Sequence, residues 1–241
     1  MGGALLRGQG EDVNGVGMEA DVAVCGGKGG GKNRYMVFDA EMMAEERKRA
    51  EIQEALTWAL EEDGFRLVYQ PKVDLARGAV AGYEALVRLR DGSFSPGEFI
   101  PVAEANGSIL ELGRWVAREV ISDLAAWSDS PEGALPVSFN CSVAQLQDRE
   151  FPSYLQSLLR EKGVSPSLLE VEITENLFLE DREGGLAFLE ALQGMGLRVP
   201  IDDFGTGFSS LNYLSFLPVD VIKLDGSLVV RFLEDGRHQS L

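Results

Sequence analysis

Several polar side chains of this chain stand at the ends of short apolar segments. Each offers a carboxylate oxygen, an amide oxygen or an ammonium group, and burying a charge costs free energy unless it meets a cation or a metal ion. The set contains neither histidine nor cysteine, so its oxygen atoms favour Mg²⁺ or Mn²⁺, with Ca²⁺ as a competitor. The residues are Glu84, Asn140, Glu172, Asp202, Asp203 and Lys223.

The adjacent carboxylates Asp202 and Asp203 end an apolar run and precede a Gly-Thr-Gly sequence. Side chains alternate between the two faces of a strand, so neighbouring aspartates share a surface only where the strand ends. Taken alone, the segment is typical of a strand end and a turn. Because other predicted strands also end in polar residues, we interpret the pair as metal ligands, with one carboxylate bridging two ions. That arrangement is suited to in-line displacement at phosphorus.

The elements that must position these side chains alternate between strand and helix. Alternation of this kind implies a parallel sheet covered by helices, and we predict an α/β fold of the (β/α) barrel type. Active sites of such barrels lie at the carboxyl ends of the strands, which is where the polar residues occur. Strands are predicted at 65–71, 80–89, 136–142, 168–174, 197–203 and 220–225, and helices at 40–63, 108–127, 151–163 and up to 194.

The chain divides into three predicted parts. Residues 1–39 are rich in glycine and lack hydrophobic periodicity, residues 40–63 form a linker helix, and residues 64–241 form the barrel domain. The segment GGKGGGKN at 26–33 nearly matches a phosphate-binding P-loop. It departs from that motif because Asn33 replaces the Ser or Thr that reaches magnesium, and a strand rather than a helix is predicted after it.

Composition excludes several classes of function. The formal net charge of −17 is unsuited to binding a nucleic-acid polymer or an anionic membrane. Cys25 and Cys141 form no CxxC pair, so we expect reduced thiols, and the single histidine, His238, lies in a polar tail. No apolar run approaches the ~20 residues that span a bilayer, and no signal peptide is evident. We therefore expect a cytoplasmic protein, whose parent could still be tethered to a membrane.

Seven ordered segments between about Phe65 and Val230 resemble the successive signatures of the EAL domain. They are YQPKVDL, GYEALVRL, FIPVAEANGSILELGRWV, VSFNCSVAQL, LLEVEITEN, VPIDDFGTGFSSLNYL and VIKLD. The resemblance implies a bacterial signalling phosphodiesterase that hydrolyses cyclic di-GMP to linear pGpG, using two Mg²⁺ or Mn²⁺ ions in a barrel. An unrelated barrel enzyme would require all seven segments to match by accident.

The resemblance also implies a role for each matching residue. Glu84, Asn140, Glu172 and Asp202 would bind the first metal ion, and Asp202 with Asp203 the second. Lys223 would orient the attacking water, while Gln70, Leu86 and Arg88 would contact the cyclic dinucleotide, Arg88 through a phosphate. Glu175 would hold the loop after Phe204, and the loop and helix at 204–215 would support a homodimer. A helix-capping carboxylate and a plain turn are the alternative for Glu175 and this loop.

The two ends of the chain modify this expectation. Residues 20–39 resemble the last helix and strand of a GGDEF domain, which implies GGDEF or sensor domains upstream in the parent protein. The later EAL motifs, a strand with Ala-Glu-Gly-Val-Glu and a Gln-Gly-Tyr segment, are absent. We therefore expect a barrel truncated after about the sixth strand and weak activity of this chain alone. The alternative is an inactive module that binds cyclic di-GMP or a protein partner.

Overall fold

The computed structural model describes residues 2–3, 36–37, 40–130, 133–146, 148–174, 182–205, 219–227 and 230. The chain forms two compact units, Met1–Trp58 and Ala59–Leu241. Its elements in order are β1 (Gly2–Gly3), β2 (Met36–Val37), α1 (Ala40–Glu61), β3 (Phe65–Asp74), β4 (Ala79–Leu89), α2 (Pro96–Asn106), α3 (Ile109–Ser128), β5 (Val137–Cys141), α4 (Val143–Leu146), α5 (Phe151–Lys162), a 3₁₀ turn (Pro166–Leu168), β6 (Leu169–Thr174), α6 (Arg182–Gly194), β7 (Pro200–Phe204) and β8 (Val221–Leu224).

In the first unit, β1 and β2 form a short parallel pair. The helix α1 has residues 40–58 in the first unit and 59–61 in the second. It begins at the residue that the sequence predicts and ends two residues earlier than predicted. Its apolar stripe at four-residue spacing is buried at Ile52 and Leu56 and half-buried at Leu60. Among the described residues, no helix is both long enough and apolar enough to cross a lipid bilayer.

The second unit contains a mixed α/β fold in which a curled sheet of six strands forms a half-barrel. The strand order, β3-β4-β5-β6-β7-β8, follows the chain. The five strands β4 to β8 are parallel, as predicted. The expectation of a parallel sheet is wrong for β3, which pairs antiparallel with β4. Only residues 75–78 separate these two strands, too few for a crossover helix, so the chain turns back as a hairpin.

Strand register brings polar residues of neighbouring strands onto the inner face of the half-barrel. Gln70 lies opposite Glu84, and Glu84 lies opposite Ser138 on the next strand. Asn140 lies opposite Glu172, and Thr174 opposite Asp202. Because residues directly opposite each other share a face, the polar side chains converge there.

The alternate residues of the strands face outward and pack under the helices. Phe139, Val171 and Ile201 are fully or almost fully buried in this outer layer. Burial of each such side chain contributes roughly 1.5–3 kcal/mol, which fixes the strand register and with it the inner face. The helix α3 covers this layer with one apolar stripe, consisting of Ile109, Leu112, Trp115, Val116, Val120, Ile121 and Leu124.

The helix α2 was not among the predicted helices, although its start is visible in the sequence. Ser95 precedes Pro96 at the first helical position, and Glu98 accepts a hydrogen bond from the Ser95 backbone N–H at 2.8 Å. This is the capping-box pattern of a helix start. The helix ends at Asn106, and the next residue, Gly107, has a φ of 84°, in the left-handed region that glycine adopts without strain.

Candidate metal centre and substrate cleft

Three carboxylates from three strands meet at the carboxyl ends of the half-barrel strands. Glu84 belongs to β4, Glu172 to β6 and Asp202 to β7, and one oxygen atom of each lies within 4.8 Å of the other two. They come together because the inner faces of parallel strands curl toward one another. We call these three residues together with Lys223 the mouth cluster.

The Lys223 ammonium group lies at the centre of the mouth cluster. Its Nζ donates hydrogen bonds to Glu172 Oε2 at 2.6 Å, Asp202 Oδ2 at 2.9 Å and Glu84 Oε2 at 3.0 Å. The Glu172 side chain is fully buried, and the other three side chains are 16–27% exposed. The three carboxylates therefore surround one cation and carry more negative charge than it neutralises.

Asn140 completes this arrangement from β5. Its amide nitrogen donates a hydrogen bond to Glu84 Oε1 at 2.9 Å, and its register partner on β6 is Glu172. Asn140 is exposed at the mouth of the half-barrel. Its carboxamide thus lies directly beside the carboxylates.

Electrostatics in the mouth cluster reflect crowded negative charge. Burial raises the pKa of Glu172, although the Lys223 ammonium and the nearby Ser138 hydroxyl oppose the rise. Burial alone would lower the pKa of Lys223, but hydrogen bonds to Asp202 and Glu172 outweigh it and raise the pKa above its ordinary value. The pKa of Asp203 is raised by burial and by the neighbouring Asp202 charge. A divalent cation would relieve these costs.

A backbone irregularity explains how two adjacent aspartates occur at the end of β7. The register between β7 and β8 shifts between Ile201 and Phe204, and Asp203 has a φ of 53°. This left-handed conformation is rare for residues other than glycine but tolerated by aspartate. The Asp203 backbone N–H donates to Asp202 Oδ1 at 2.9 Å. The normal alternation of strand side chains is therefore interrupted at this pair.

The donor set fits a divalent cation. Glu172 Oε1 is buried and has no hydrogen-bond partner among the described residues, and a buried polar atom normally has one. The available atoms are carboxylate and carboxamide oxygens, the ligands of hard cations. One oxygen of each of the three carboxylates lies within 4.8 Å of the other two, so they would bind one ion if it replaced the contacts that Lys223 Nζ now makes with them.

A cavity of about 370 Å³ lies beside the mouth cluster. Leu86 and Arg88 line it from β4, Asn140 from β5, and Gly113 and Gln145 from the helical side. The Gln145 side chain is almost fully buried, and its amide nitrogen has no hydrogen-bond partner among the described residues. This cavity therefore offers hydrogen-bond donors beside an apolar wall, as sites for organic ligands do.

The other predicted site residues are placed as follows. Gln70 is exposed on β3, opposite Glu84, and does not line the cavity. Glu175 and most of the loop and helix at 204–215 fall outside the described residues. The sequence analysis did not predict that Gln145 lines the cavity. Its position could have indicated this, because Gln145 follows Asn140 by five residues and the loops after barrel strands lie at the same face as the active site.

Comparison with known proteins identifies the family of this chain. The family model described as the EAL domain matches residues 50–241. The chain belongs to the EAL-domain family. The matched region begins within the predicted linker helix and includes the mouth cluster and the cavity.

Two relatives have names that state an activity. The chain is 34% identical over 239 residues to the bifunctional diguanylate cyclase/cyclic di-GMP phosphodiesterase MucR of Pseudomonas aeruginosa. It is 37% identical over 244 residues to the cyclic di-GMP phosphodiesterase PdeR of Escherichia coli. These alignments cover 98% and 100% of this chain but 35% and 37% of the relatives. The chain thus spans about a third of the length of the curated relatives that it matches.

Two solved EAL-type structures have the same fold and contain the dinucleotide. The phosphodiesterase of MucR in complex with c-di-GMP superposes with a TM-score of 0.72 at 33% identity, covering 79% of this chain and 78% of that one. The EAL domain of FimX from Xanthomonas citri in complex with c-di-GMP gives a TM-score of 0.72 at 26% identity, covering 82% and 78%.

Proposed function

We propose that this chain hydrolyses cyclic di-GMP to linear pGpG. The observation that carries the proposal is the mouth cluster, in which Glu84, Glu172 and Asp202 bring one oxygen each within 4.8 Å around Lys223. Membership in the EAL-domain family and the resemblance to structures bound to c-di-GMP support the choice of substrate. The presence of Glu84, Asn140, Glu172, Asp202, Asp203 and Lys223 favours an enzyme over a module that only binds.

In this proposal, each part of the site has one task. Glu84, Asn140, Glu172 and Asp202 hold the first ion, and Asp202 and Asp203 hold the second. When bound, Mg²⁺ or Mn²⁺ activates water and offsets negative charge at the phosphate. In this structure the Lys223 ammonium donates to Glu84, Glu172 and Asp202. Its raised pKa keeps it protonated, so with those carboxylates bound to the ions it would donate to the attacking water rather than accept a proton.

The substrate is held on the β4 side of the site. The Arg88 guanidinium, half-buried beside the cavity, binds a phosphate oxygen of the dinucleotide. Leu86 supplies an apolar contact in the same cavity. Gln70 lies outside that cavity, opposite Glu84, and would contact the part of the dinucleotide that extends toward β3. Because the chain itself is acidic, this one arginine and the bound ions supply the positive charge that a phosphodiester needs.

The proposal includes the organisation around this site. Residues 64–241 form the phosphodiesterase domain, 40–63 the linker helix and 1–39 the end of a GGDEF-like domain. Glu175 and the segment 204–215 couple the site to a homodimer, and GGDEF or sensor domains precede this region in the parent protein. The whole acts in the bacterial cytoplasm.

The experiment is a turnover assay of the 241-residue chain with cyclic di-GMP, read by chromatography of the linear product. We expect product with Mn²⁺ or Mg²⁺ and none with a chelator. Asp202→Asn should lower the rate by at least about 100-fold, because a lost metal ligand costs several kcal/mol of barrier. Glu190→Gln is the matched control, since Glu190 is exposed on α6, and should keep the rate. Binding of cyclic di-GMP without product under all metal conditions would contradict the proposal and favour the binding module.

A further inference from the structure

A second polar group lies on the inner face of the half-barrel, on the amino-terminal side of the mouth cluster. Lys72 Nζ, on β3, donates to Glu170 Oε2 at 2.5 Å and to Ser138 Oγ at 3.2 Å. Ser138 is fully buried and Glu170 is 6% exposed. We call these three residues the lower layer. Each of the three lies within one of the seven EAL-like segments, but no role in the proposed mechanism is assigned to any of them.

The Lys72 side chain passes over β4 to reach Ser138 and Glu170, and the β4 residue beneath it is a glycine. The register partner of Lys72 on β4 is Gly82, and a Cβ atom at Gly82 would lie 3.3 Å from Lys72 Cε and 2.7 Å from the Pro136 carbonyl oxygen. Any larger residue at 82 would therefore push the lysine stem or the start of β5 out of place. The backbone thus leaves room for Lys72 to join β3 to β5 and β6.

On β5 and β6, the residues of the lower layer come two positions before the proposed metal ligands. Ser138 and Asn140 are two residues apart on β5, and Glu170 and Glu172 are two residues apart on β6, so all four face inward. Lys72 binds both Ser138 and Glu170, and Asn140 and Glu172 lie next to them along the same inner face. The Glu172 carboxylate, whose Oε2 binds Lys223, also faces the Ser138 hydroxyl.

The lower layer is close to electrically balanced. Lys72 offsets Glu170, and Arg198 approaches Glu170 Oε1 at 3.8 Å from the more exposed side. The Ser138 hydroxyl accepts from Lys72 and lies 3.4 Å from the Tyr83 carbonyl oxygen as a donor. Because these groups satisfy one another, the lower layer has no need of a ligand and can act as a rigid base.

We infer that Lys72, Ser138 and Glu170 are positioning residues for the first metal ion. By fixing β5 relative to β6, they hold Asn140 and Glu172 at the separation that one ion requires. This inference rests on the proposed function for the presence of that ion. Second-sphere groups of this kind orient metal ligands in proteins, and their loss typically weakens metal affinity about 10–100-fold.

The test measures Mn²⁺ affinity directly, by electron paramagnetic resonance of free Mn²⁺ during titration of the 241-residue chain. We expect Ser138→Ala to raise the Kd by about tenfold or more. Lys72→Met should act in the same direction, because it removes the ammonium group and keeps the apolar stem. Ser108→Ala is the matched control, because the Ser108 hydroxyl is buried like that of Ser138. Unlike Ser138, it has no hydrogen-bond partner among the described residues, so its removal should leave the Kd for Mn²⁺ unchanged.

Thermal unfolding without metal separates positioning from folding. A lower melting temperature of Ser138→Ala combined with an unchanged Mn²⁺ Kd would overturn the inference. The Ser138 variant removes a single oxygen atom, so it provides the answer even if Lys72→Met fails to fold.

Failure of this inference can be told apart from failure of the proposed function. Turnover of cyclic di-GMP by the unmodified chain with no change of Kd in Ser138→Ala would overturn the inference alone. Tight Mn²⁺ binding without turnover, weakened in Ser138→Ala, would support the inference and overturn the proposed function. Absence of Mn²⁺ binding by the unmodified chain would overturn the inference, whatever the turnover assay gives.

Discussion

Two clusters of charged side chains in this domain use the same chemistry in opposite ways. In the mouth cluster, three carboxylates share the single Lys223 ammonium. In a second cluster, outside the half-barrel, the Arg114 guanidinium donates to Asp148 at 2.7 Å and lies 5.2 Å from the centre of the Tyr154 ring. We call Arg114, Asp148 and Tyr154 the outer cluster. It joins α3 to α5, since the Tyr154 hydroxyl also donates to the Arg114 carbonyl oxygen at 3.2 Å.

The difference lies in charge balance and burial. The outer cluster pairs one cation with one close anion, so its energy comes from contacts that it already makes. The mouth cluster holds an excess of negative charge around a fully buried Glu172, and this arrangement opposes folding unless a further cation is bound. A charged cluster in which every charge has a partner indicates a structural role. A cluster with unbalanced negative charge indicates a site for a cationic ligand.

The largest expected effect is on turnover by Glu172→Gln. The amide keeps the volume of the side chain but loses the charge, so we expect cyclic di-GMP hydrolysis to fall at least about 100-fold. The free energy of unfolding without metal should stay the same or rise, because a buried charge is removed. Turnover and urea denaturation of the same preparation check both parts. A variant that loses stability in proportion to activity would contradict the proposed division of roles.

The next effect is on stability through Lys223→Met. Removing the ammonium leaves three carboxylates facing one another, and we expect the metal-free unfolding free energy to fall by about 2 kcal/mol, less than for a fully buried pair because solvent reaches the mouth. Mn²⁺ should restore more stability in this variant than in the unmodified chain. Denaturation with and without Mn²⁺ measures this difference. The control is Lys162→Met, exposed near the end of α5, which should show no such metal dependence.

A smaller effect is expected from Asp148→Asn in the outer cluster. Loss of the carboxylate should lower the unfolding free energy by at most about 1 kcal/mol, since Arg114 is 36% exposed and keeps its contact with Tyr154. Turnover should be unchanged, because the residue lies outside the site. A large loss of turnover in Asp148→Asn with normal stability would break the distinction between the two clusters.

The smallest effect is the pH dependence of that same pair. Burial opposes the charged form of Asp148, but the hydrogen bond from Arg114 outweighs it and lowers the pKa of this carboxyl. A depressed folded-state pKa contributes stability above the unfolded value of about 3.9 and loses it as pH falls through the folded value. The stability difference between the unmodified chain and Asp148→Asn should therefore shrink between about pH 6 and pH 2. A difference that grows on acidification would contradict this assignment.

Much of the mouth cluster could be predicted because parallel strands end at one edge. Glu84, Glu172 and Asp202 each lie in a recognisable strand, so knowledge of the strand order sufficed to expect them near one another. The same reasoning did not predict that Lys223 would lie between all three carboxylates. That detail depends on how far the sheet curls between β4 and β8, which no local pattern encodes.

The lower layer and the direction of β3 were missed for different reasons. Glu170 lies two residues before Glu172, so its inward direction follows from strand periodicity, but its partner Lys72 is on a strand far away in sequence. The antiparallel direction of β3 could have been recognised, because residues 75–78 leave room only for a turn. The general expectation of alternating strands and helices outweighed this local signal.

That reversed strand also has a practical consequence. Because β3 runs against its neighbours, the turn at 75–78 emerges at the end of the half-barrel opposite the mouth cluster, and Leu75 is 93% exposed there. Exposed loop tips accept inserted sequence with little cost to the fold. An epitope tag or a fluorescent reporter grafted between Ala76 and Arg77 would therefore report on the protein in living cells without obstructing the access of a small molecule to its acidic centre.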